Sequence, residues 1–294
     1  MTLAKLEVLR QYLHGFAGAS RSAGPWYAID LFAGSGLNVT KTGREVPGST
    51  RTILDAHQEG IAEPHPATGV IAIESDAHRC RRLRTRLAPY GARAHVLEGD
   101  HEGHLEAALR LVPRDALSFA LLDPEGFDVA WSTVARLASH RLHPSGWKME
   151  QLVLFPSAWV GRLRDPKHHH VLDRAFGTHE WRAVLSQRFK RAQEVVDVDL
   201  FGDETVREIH ASPDVTAEEA AMAWADLYAG RFRSTLGYRY AQAIPMGNER
   251  GRLRYHLIFA SDNTVGDKIM SWVGERVPGD PGALDPDARL IPLF

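Results

Sequence analysis

The sequence predicts an α/β protein: a doubly wound, mostly parallel sheet with a C-terminal antiparallel hairpin, plus a helical insertion. Three observations carry this. Short apolar runs recur at 27–30, 70–74, 94–97, 117–122 and 151–155, separated by helical stretches or long loops. Runs that are apolar on both faces read as strands covered on both sides. Near the end, apolar runs at 238–246 and 253–261 flank Gly247-Asn248-Glu249-Arg250-Gly251-Arg252, which is a hairpin signal. At 294 residues and 44% hydrophobic content, the chain can bury a large core as one enlarged domain or a domain plus a small subdomain.

Taken in order, residues 3–17 put Leu6, Leu9, Leu13 and Phe16 on one helical stripe, and residues 18–25 break that helix. The first strand, Tyr27-Ala28-Ile29-Asp30, feeds Leu31-Phe32-Ala33-Gly34-Ser35-Gly36. Gly34 and Gly36 can take positive φ and let a ligand approach the backbone where a Cβ would block it. Asp30 is costly to bury without a polar partner, so it calls for a cationic or hydroxyl-bearing ligand group. A polar loop at 37–47 precedes a helix expected over 49–59.

The second strand ends in Glu74, where dinucleotide-type folds place the acid that accepts from ribose hydroxyls. Its distance from Gly36 exceeds the about 20 residues of nicotinamide-binding folds, so that reading fits poorly. The third strand ends at Glu98-Gly99-Asp100, with Asp100 placed to accept from an exocyclic amine such as adenine's. The fourth ends in Asp123-Pro124-Glu125-Gly126-Phe127, where proline makes a rigid turn that carries the acid to the strand tip. Each feature alone has a plainer reading: a tight turn, a helix N-cap for Asp76 or Asp100, a proline turn. Four strand-tip acids in order line one crevice of an open sheet, and together they point to an S-adenosylmethionine pocket.

Elsewhere, Cys80 shares helical spacing with Leu83 and Leu87 and reads as core. As the single cysteine it excludes an internal disulfide framework and a Cys-rich metal site. Arg79, Arg81, Arg82, Arg84 and Arg86 read as a solvated helix face. His168-His169-His170 project in different directions without a carboxylate motif, so no metal site is expected and an exposed loop is favoured. Residues 151–155 are a fifth strand, and Pro156-Ser157 opens a helical segment with Trp159, Val160 and Leu163. Residues 164–233 are mostly helical and polar, including 217–228, and residues 277–292 form an irregular tail. No signal-peptide h-region or long apolar span is present, which leads to the expectation of a soluble, cytoplasmic chain with no membrane contact. The net charge of −2, from 35 basic and 37 acidic residues, does not advertise nucleic-acid binding. Lys41, Arg44, Arg51 and Arg162 are expected near the cofactor side as a rim for an anionic substrate. The hairpin arginines Arg250, Arg252 and Arg254 belong to the same scattered set.

The sequence resembles the class I S-adenosylmethionine-dependent methyltransferases and, more narrowly, the three-Cys-motif partner (TcmP) proteins. The residues that carry this are the helix at 5–16, the segment 27–36, Gly48-Ser49-Thr50, Ile73-Glu74, Gly99-Asp100, Leu122-Asp123-Pro124-Glu125-Gly126, Trp131-Ser132-Thr133, the run 255–263 and Gly266-Asp267-Lys268-Ile269-Met270. The match covers most of the chain and is weakest between about residues 163 and 236. It departs from the family pattern at Ser35, where proline is usual, and at Glu125, where an aromatic is usual. The resemblance implies a Rossmann-like cofactor-binding core (1–163), a helical insertion or cap (164–236), and a C-terminal hairpin, helix and tail (237–294). It implies S-adenosylmethionine as cofactor, held by Asp30, Phe32, Ala33, Gly34, Gly36, Glu74, Ser75 and Asp100. Catalysis falls to Asp123, Pro124, Glu125 and Phe127, with Phe127 or Trp159 as an apolar wall. It also implies a three-Cys-motif partner of radical S-adenosylmethionine type.

Two functions follow as expectations. One is a methyltransferase whose acceptor is nucleic acid or contains a nucleotide. The other is a non-catalytic, methyltransferase-like subunit that binds cofactor and assists the three-Cys-motif partner. A nuclease ranks below both, because its metal carboxylates are missing apart from the strand-tip acids.

Overall fold

A computed structural model describes residues 3–40, 43–56, 65–142, 145–163, 165–183, 197–198, 204–205, 217–247 and 253–276. The strands are β1 (Trp26–Asp30), β2 (Leu37–Val39), β3 (Glu45–Pro47), β4 (Gly69–Glu74), β5 (Ala94–Glu98), β6 (Leu117–Leu122), β7 (Glu150–Phe155), β8 (Asp197–Val198), β9 (Glu204–Thr205), β10 (Tyr240–Gly247) and β11 (Leu253–Ser261). The helices are α1 (Leu3–Ser20), α2 (Ser49–Leu54), α3 (Ala77–Leu87), α4 (His101–Arg110), α5 (Trp131–Ala138), α6 (Val160–Leu163), α7 (His169–Phe176), α8 (Ala217–Ser234) and α9 (Thr264–Arg276).

Seven strands form one sheet in the order β10-β11-β7-β6-β1-β4-β5. β1, β4, β5, β6 and β7 pair in parallel, and β11 runs against both β10 and β7. This is the expected doubly wound α/β sheet, closed by the antiparallel hairpin of a class I methyltransferase-like arrangement. The period-2 alternation of the strands sorts the core into two layers. Ile29, Ile71, Ile73, Ala120 and Leu122 face α4, α5, α7 and α8, while Ala28, Val70, Ala72, Phe119 and Leu121 face α1, α2, α3 and α9.

α1 sets the site. Leu9, Tyr12 and Leu13 are fully or almost fully buried, each contributing about 2 kcal/mol of burial. The helix runs on to Ser20 through the expected break, because Ala17 and Ser20 are still covered. Its stripe holds more than apolar residues. Tyr12 donates its O–H to Glu150, whose other oxygen accepts from Ser261 Oγ at 2.6 Å. Burial pushes the Glu150 carboxyl up to about 7, against the pull of the Ser261 and Tyr12 bonds. This buried network lies at the foot of β7 and pins the helix from below.

Several local expectations need correction. The loop at 37–47 carries a small hairpin, β2 paired with β3. α2 stops at Leu54, where Asp55 N–H donates to Arg51 O at 2.9 Å and Ala56 N–H to Ile53 O at 3.2 Å; residues 57–59 lie outside the described set. The histidine run opens a helix, with His168 ending a short 3-10 turn and His169 starting α7; His169 sits edge-on to Trp181 at 4.8 Å. α8 extends to Ser234, beyond the expected Tyr228. Its Trp224, Tyr228 and Phe232 share one core with Phe155, Trp131, Phe176 and Trp181, so the described part of 164–236 covers a face of the sheet and does not stand above it as a cap. Cys80, Leu83 and Leu87 are buried together as read. The hairpin turn at 248–252, Lys41 and the tail from 277 lie outside the described residues.

Candidate cofactor and acceptor site

The glycine turn after β1 forms one wall. Gly34 and Gly36 have φ of +62° and +76°, as expected from their place at the strand end. A Cβ on Gly34 would enter open space, whereas one on Gly36 would lie 2.9 Å from Leu83 Cδ1. Gly48 closes the turn from behind. Its N–H donates to Gly36 O at 3.0 Å, and a Cβ there would lie 2.8 Å from the Gly36 carbonyl carbon. Arg86 adds a 2.6 Å bond to Ser35 O, so the arginine run on α3 is not merely a solvated face. Arg79 contacts Glu74 at 3.1 Å and Arg84 contacts Glu98 at 2.7 Å.

Asp30 departs from its expected role as a ligand contact. It has no exposed surface, and its carboxylate accepts from Ser49 Oγ at 2.6 Å and Thr50 Oγ1 at 2.7 Å, with Phe32 N–H at 3.3 Å. The hydroxyls that the buried acid required come from the first turn of α2. Burial pushes the carboxyl up to about 6, and these three bonds pull it back toward its ordinary range. Asp30 therefore braces the turn from beneath.

The facing wall begins at the tip of β6. Asp123 is held by Lys5 of α1, whose Nζ lies 2.5 and 2.6 Å from the two carboxylate oxygens. Both side chains are 9% exposed, and the Tyr255 ring centre lies 5.9 Å from Nζ. Lys5 was missed in the sequence, although a signal existed: Lys5, Leu9, Tyr12 and Phe16 follow i, i+4, i+7, i+11 on the buried stripe. A lysine there needs an acid. Pro124 is buried, and Glu125 is 93% exposed with Arg79 3.9 Å away.

Phe127 is not a wall of the site. It is buried and meets Phe155 edge-on at 4.9 Å, inside the core. Trp159 takes the exposed position instead. It is 42% exposed, lies next to Gly126, and carries the Arg162 guanidinium 5.5 Å from its ring. Arg51, expected at the rim, is outside the lining of the cavity between the two walls and lies beside Tyr90, whose O–H donates to Asp55 at 2.7 Å.

Between the walls lies a cavity of about 260 Å³, lined by Lys5, the segment 32–38, Gly48, Ser49, Asp123, Pro124, Glu125 and Leu154. Phe32, Ala33, Gly34 and Gly36 are thus brought together with Asp123, Pro124 and Glu125. Glu74, Ser75 and Asp100 sit outside this lining, on the next strand tips. Glu74 accepts from Asp76 N–H at 2.8 Å. Asp76 and Asp100 both cap helices, accepting from Arg79 and Gly103 N–H respectively, and that bond holds the Asp100 carboxyl below its usual range. Beside Asp100, the His101 ring lies 4.7 Å from Phe32. Its Nε2 is buried without a hydrogen-bond partner, and burial lowers its pKa. Its position directly after Asp100 was the available signal.

Among the described residues no cluster of three metal-ligating side chains occurs, and no helix is long and apolar enough to cross a membrane. No family model and no curated protein matches the chain. Solved structures do. The methyltransferase domain of bacterial CtHen1 is 11% identical with a TM-score of 0.36, covering 86% of this chain and 99% of that one. The plantazolicin methyltransferase BpumL, in complex with SAH, is 9% identical with a TM-score of 0.35, covering 90% and 86%. A SAM-dependent methyltransferase from Methanosarcina mazei is 12% identical with a TM-score of 0.30, covering 80% and 91%. These are distant likenesses; the strand order and its antiparallel closure carry the fold assignment.

Proposed function

We propose that the chain is an S-adenosylmethionine-dependent methyltransferase. The observation that carries this reading is the cavity itself. A turn of bare glycine backbone and an acid on a proline turn face one space, at the carboxyl ends of neighbouring parallel strands, where such sheets bind ligands. Gly34 and the backbone of 32–36 would hold the methionine part, Glu74 the ribose, and Asp100 with His101 and Phe32 the adenine. The cofactor, when bound, supplies an activated methyl sulfonium. The protein's share is alignment of the acceptor for in-line displacement. Asp123 orients that acceptor by accepting a hydrogen bond from it.

The exposed Trp159 and its Arg162 neighbour support an acceptor that contains a nucleotide, since the pair offers a stacking face and a cation. The exposed Glu125 and the net charge of −2 weigh against phosphate nearby. Delivery of the acceptor by a three-Cys-motif partner is supported by the sequence resemblance alone. One observation favours a second reading, a cofactor-binding subunit without turnover: Asp123 is already occupied by Lys5.

Calorimetry with S-adenosylmethionine and S-adenosylhomocysteine tests the common part. Both are expected to bind one per chain, and Glu74→Ala should weaken them by about 1–3 kcal/mol through loss of a charged acceptor. A folded sample that binds neither at millimolar concentration would end the proposal. Release of S-adenosylhomocysteine with an acceptor separates enzyme from subunit.

A further inference from the structure

We propose that Lys5 is a methyl-acceptor residue of this cavity, modified in cis by the chain's own site; this rests on the methyltransferase reading above. An acceptor nitrogen that donates to Asp123 must lie within hydrogen-bond distance of its carboxylate and inside the cavity that the glycine turn lines. The Lys5 nitrogen meets both conditions. It touches both oxygens of Asp123, at 2.5 and 2.6 Å, and its side chain lines the same cavity as Gly34, Ser35 and Gly36. Its 9% exposure and the Tyr255 ring 5.9 Å away confine it there. The helix that delivers it is fixed at Leu9, Tyr12 and Leu13, so the nitrogen is presented by packing.

The chemistry balances without a further reagent. The Lys5 ammonium loses one proton, for which the Asp123 carboxylate is the nearest acceptor. The freed lone pair takes the methyl group from the sulfonium donor as the carbon–sulfur bond breaks, and the neutral thioether leaves with that electron pair. The products are N-methyl-Lys5, the thioether and one proton passed on to solvent. An external acceptor that reaches Asp123 must first displace Lys5, so methylation in cis is the reaction of the chain alone.

The test incubates the full chain with S-adenosylmethionine near pH 8.5, reads intact mass and peptide fragments, and titrates S-adenosylhomocysteine into the same preparation. A gain of one methyl mass on Lys5, absent in Lys5→Arg and slowed at least tenfold in Asp123→Asn with S-adenosylhomocysteine affinity retained, supports the proposal. Binding of S-adenosylhomocysteine with Lys5 unmodified after many hours overturns it while leaving the methyltransferase reading in place. So does methyl mass confined to other lysines. Failure to bind S-adenosylhomocysteine removes the reading beneath it as well. Lys5→Arg keeps a cation on Asp123 and serves where the asparagine variant does not fold.

Discussion

The two walls of the cavity are built in different ways. The glycine wall is made of local chain: β1, its turn and the start of α2 fall within 25 residues (26–50), and they are tied by backbone contacts and by the bonds from Ser49 and Thr50 to Asp30. The Asp123 wall depends on one ion pair between residues 118 apart in sequence, delivered by a helix that is pinned at its middle by the Tyr12–Glu150–Ser261 network. Lys5 and Tyr12 are about 10 Å apart along α1. The glycine wall should therefore tolerate the loss of any one side chain better than the Asp123 wall tolerates the loss of its pair.

The largest effect follows from breaking that pair. Lys5→Met leaves the Asp123 carboxylate largely buried and uncompensated, and should cost about 3–5 kcal/mol in urea unfolding. Lys5→Met with Asp123→Asn removes both charges and should recover much of that loss. Costs that simply add within about 0.5 kcal/mol would show that the pair is not coupled, and the contrast between the walls would fall.

The pin below has a pH signature. The Glu150 carboxyl, at about 7 in the fold against about 4.3 in an unfolded chain, binds its proton more tightly when folded. Its contribution is fully present below the unfolded value and is lost as pH rises through 7. Glu150→Gln removes the charge, keeps one carbonyl acceptor for one of the two hydroxyls of Tyr12 and Ser261, and offers an N–H to the other, which can turn to accept it. Relative to wild type it should gain stability between pH 5 and 8, by on the order of 3 kcal/mol at most. Thermal melts at the two pH values check the sign, and a gain that shrinks toward pH 8 would contradict it. Comparing each variant with wild type removes the opposing drift from His256, whose pKa burial lowers to about 4.

A smaller effect separates the glycines. Gly48→Ala should destabilise by about 1–3 kcal/mol, because its Cβ meets fixed backbone of Gly36. Gly34→Ala meets open space and should cost about 1 kcal/mol, from its positive φ alone. Equal losses would mean that the turn is not closed by Gly48.

This difference in construction also decides what the sequence made legible. The mostly parallel sheet and its antiparallel end followed from apolar runs and a hairpin, and Gly34 and Gly36 were readable because a strand end followed by glycines encodes a left-handed turn locally. Asp30 was correctly seen to need a polar partner but was given a ligand, since its hydroxyl partners lie 19 and 20 residues downstream. Phe127 was expected to wall the site because it follows the Asp123-Pro124 turn, yet the β6–α5 connection folds it against Phe155. Lys5 was invisible to motif reading because its partner lies on another element. Its place on a buried stripe was the trace it left.

The division into a donor wall and an acceptor wall is most directly tested by one measurement, the affinity for S-adenosylhomocysteine of Gly48→Ala beside that of Asp123→Asn. The expected result is at least a tenfold loss for Gly48→Ala, because the backbone cradle opens, and a change of less than threefold for Asp123→Asn. A large loss in Asp123→Asn with Gly48→Ala binding as wild type would contradict it, and would place Asp123 on the cofactor.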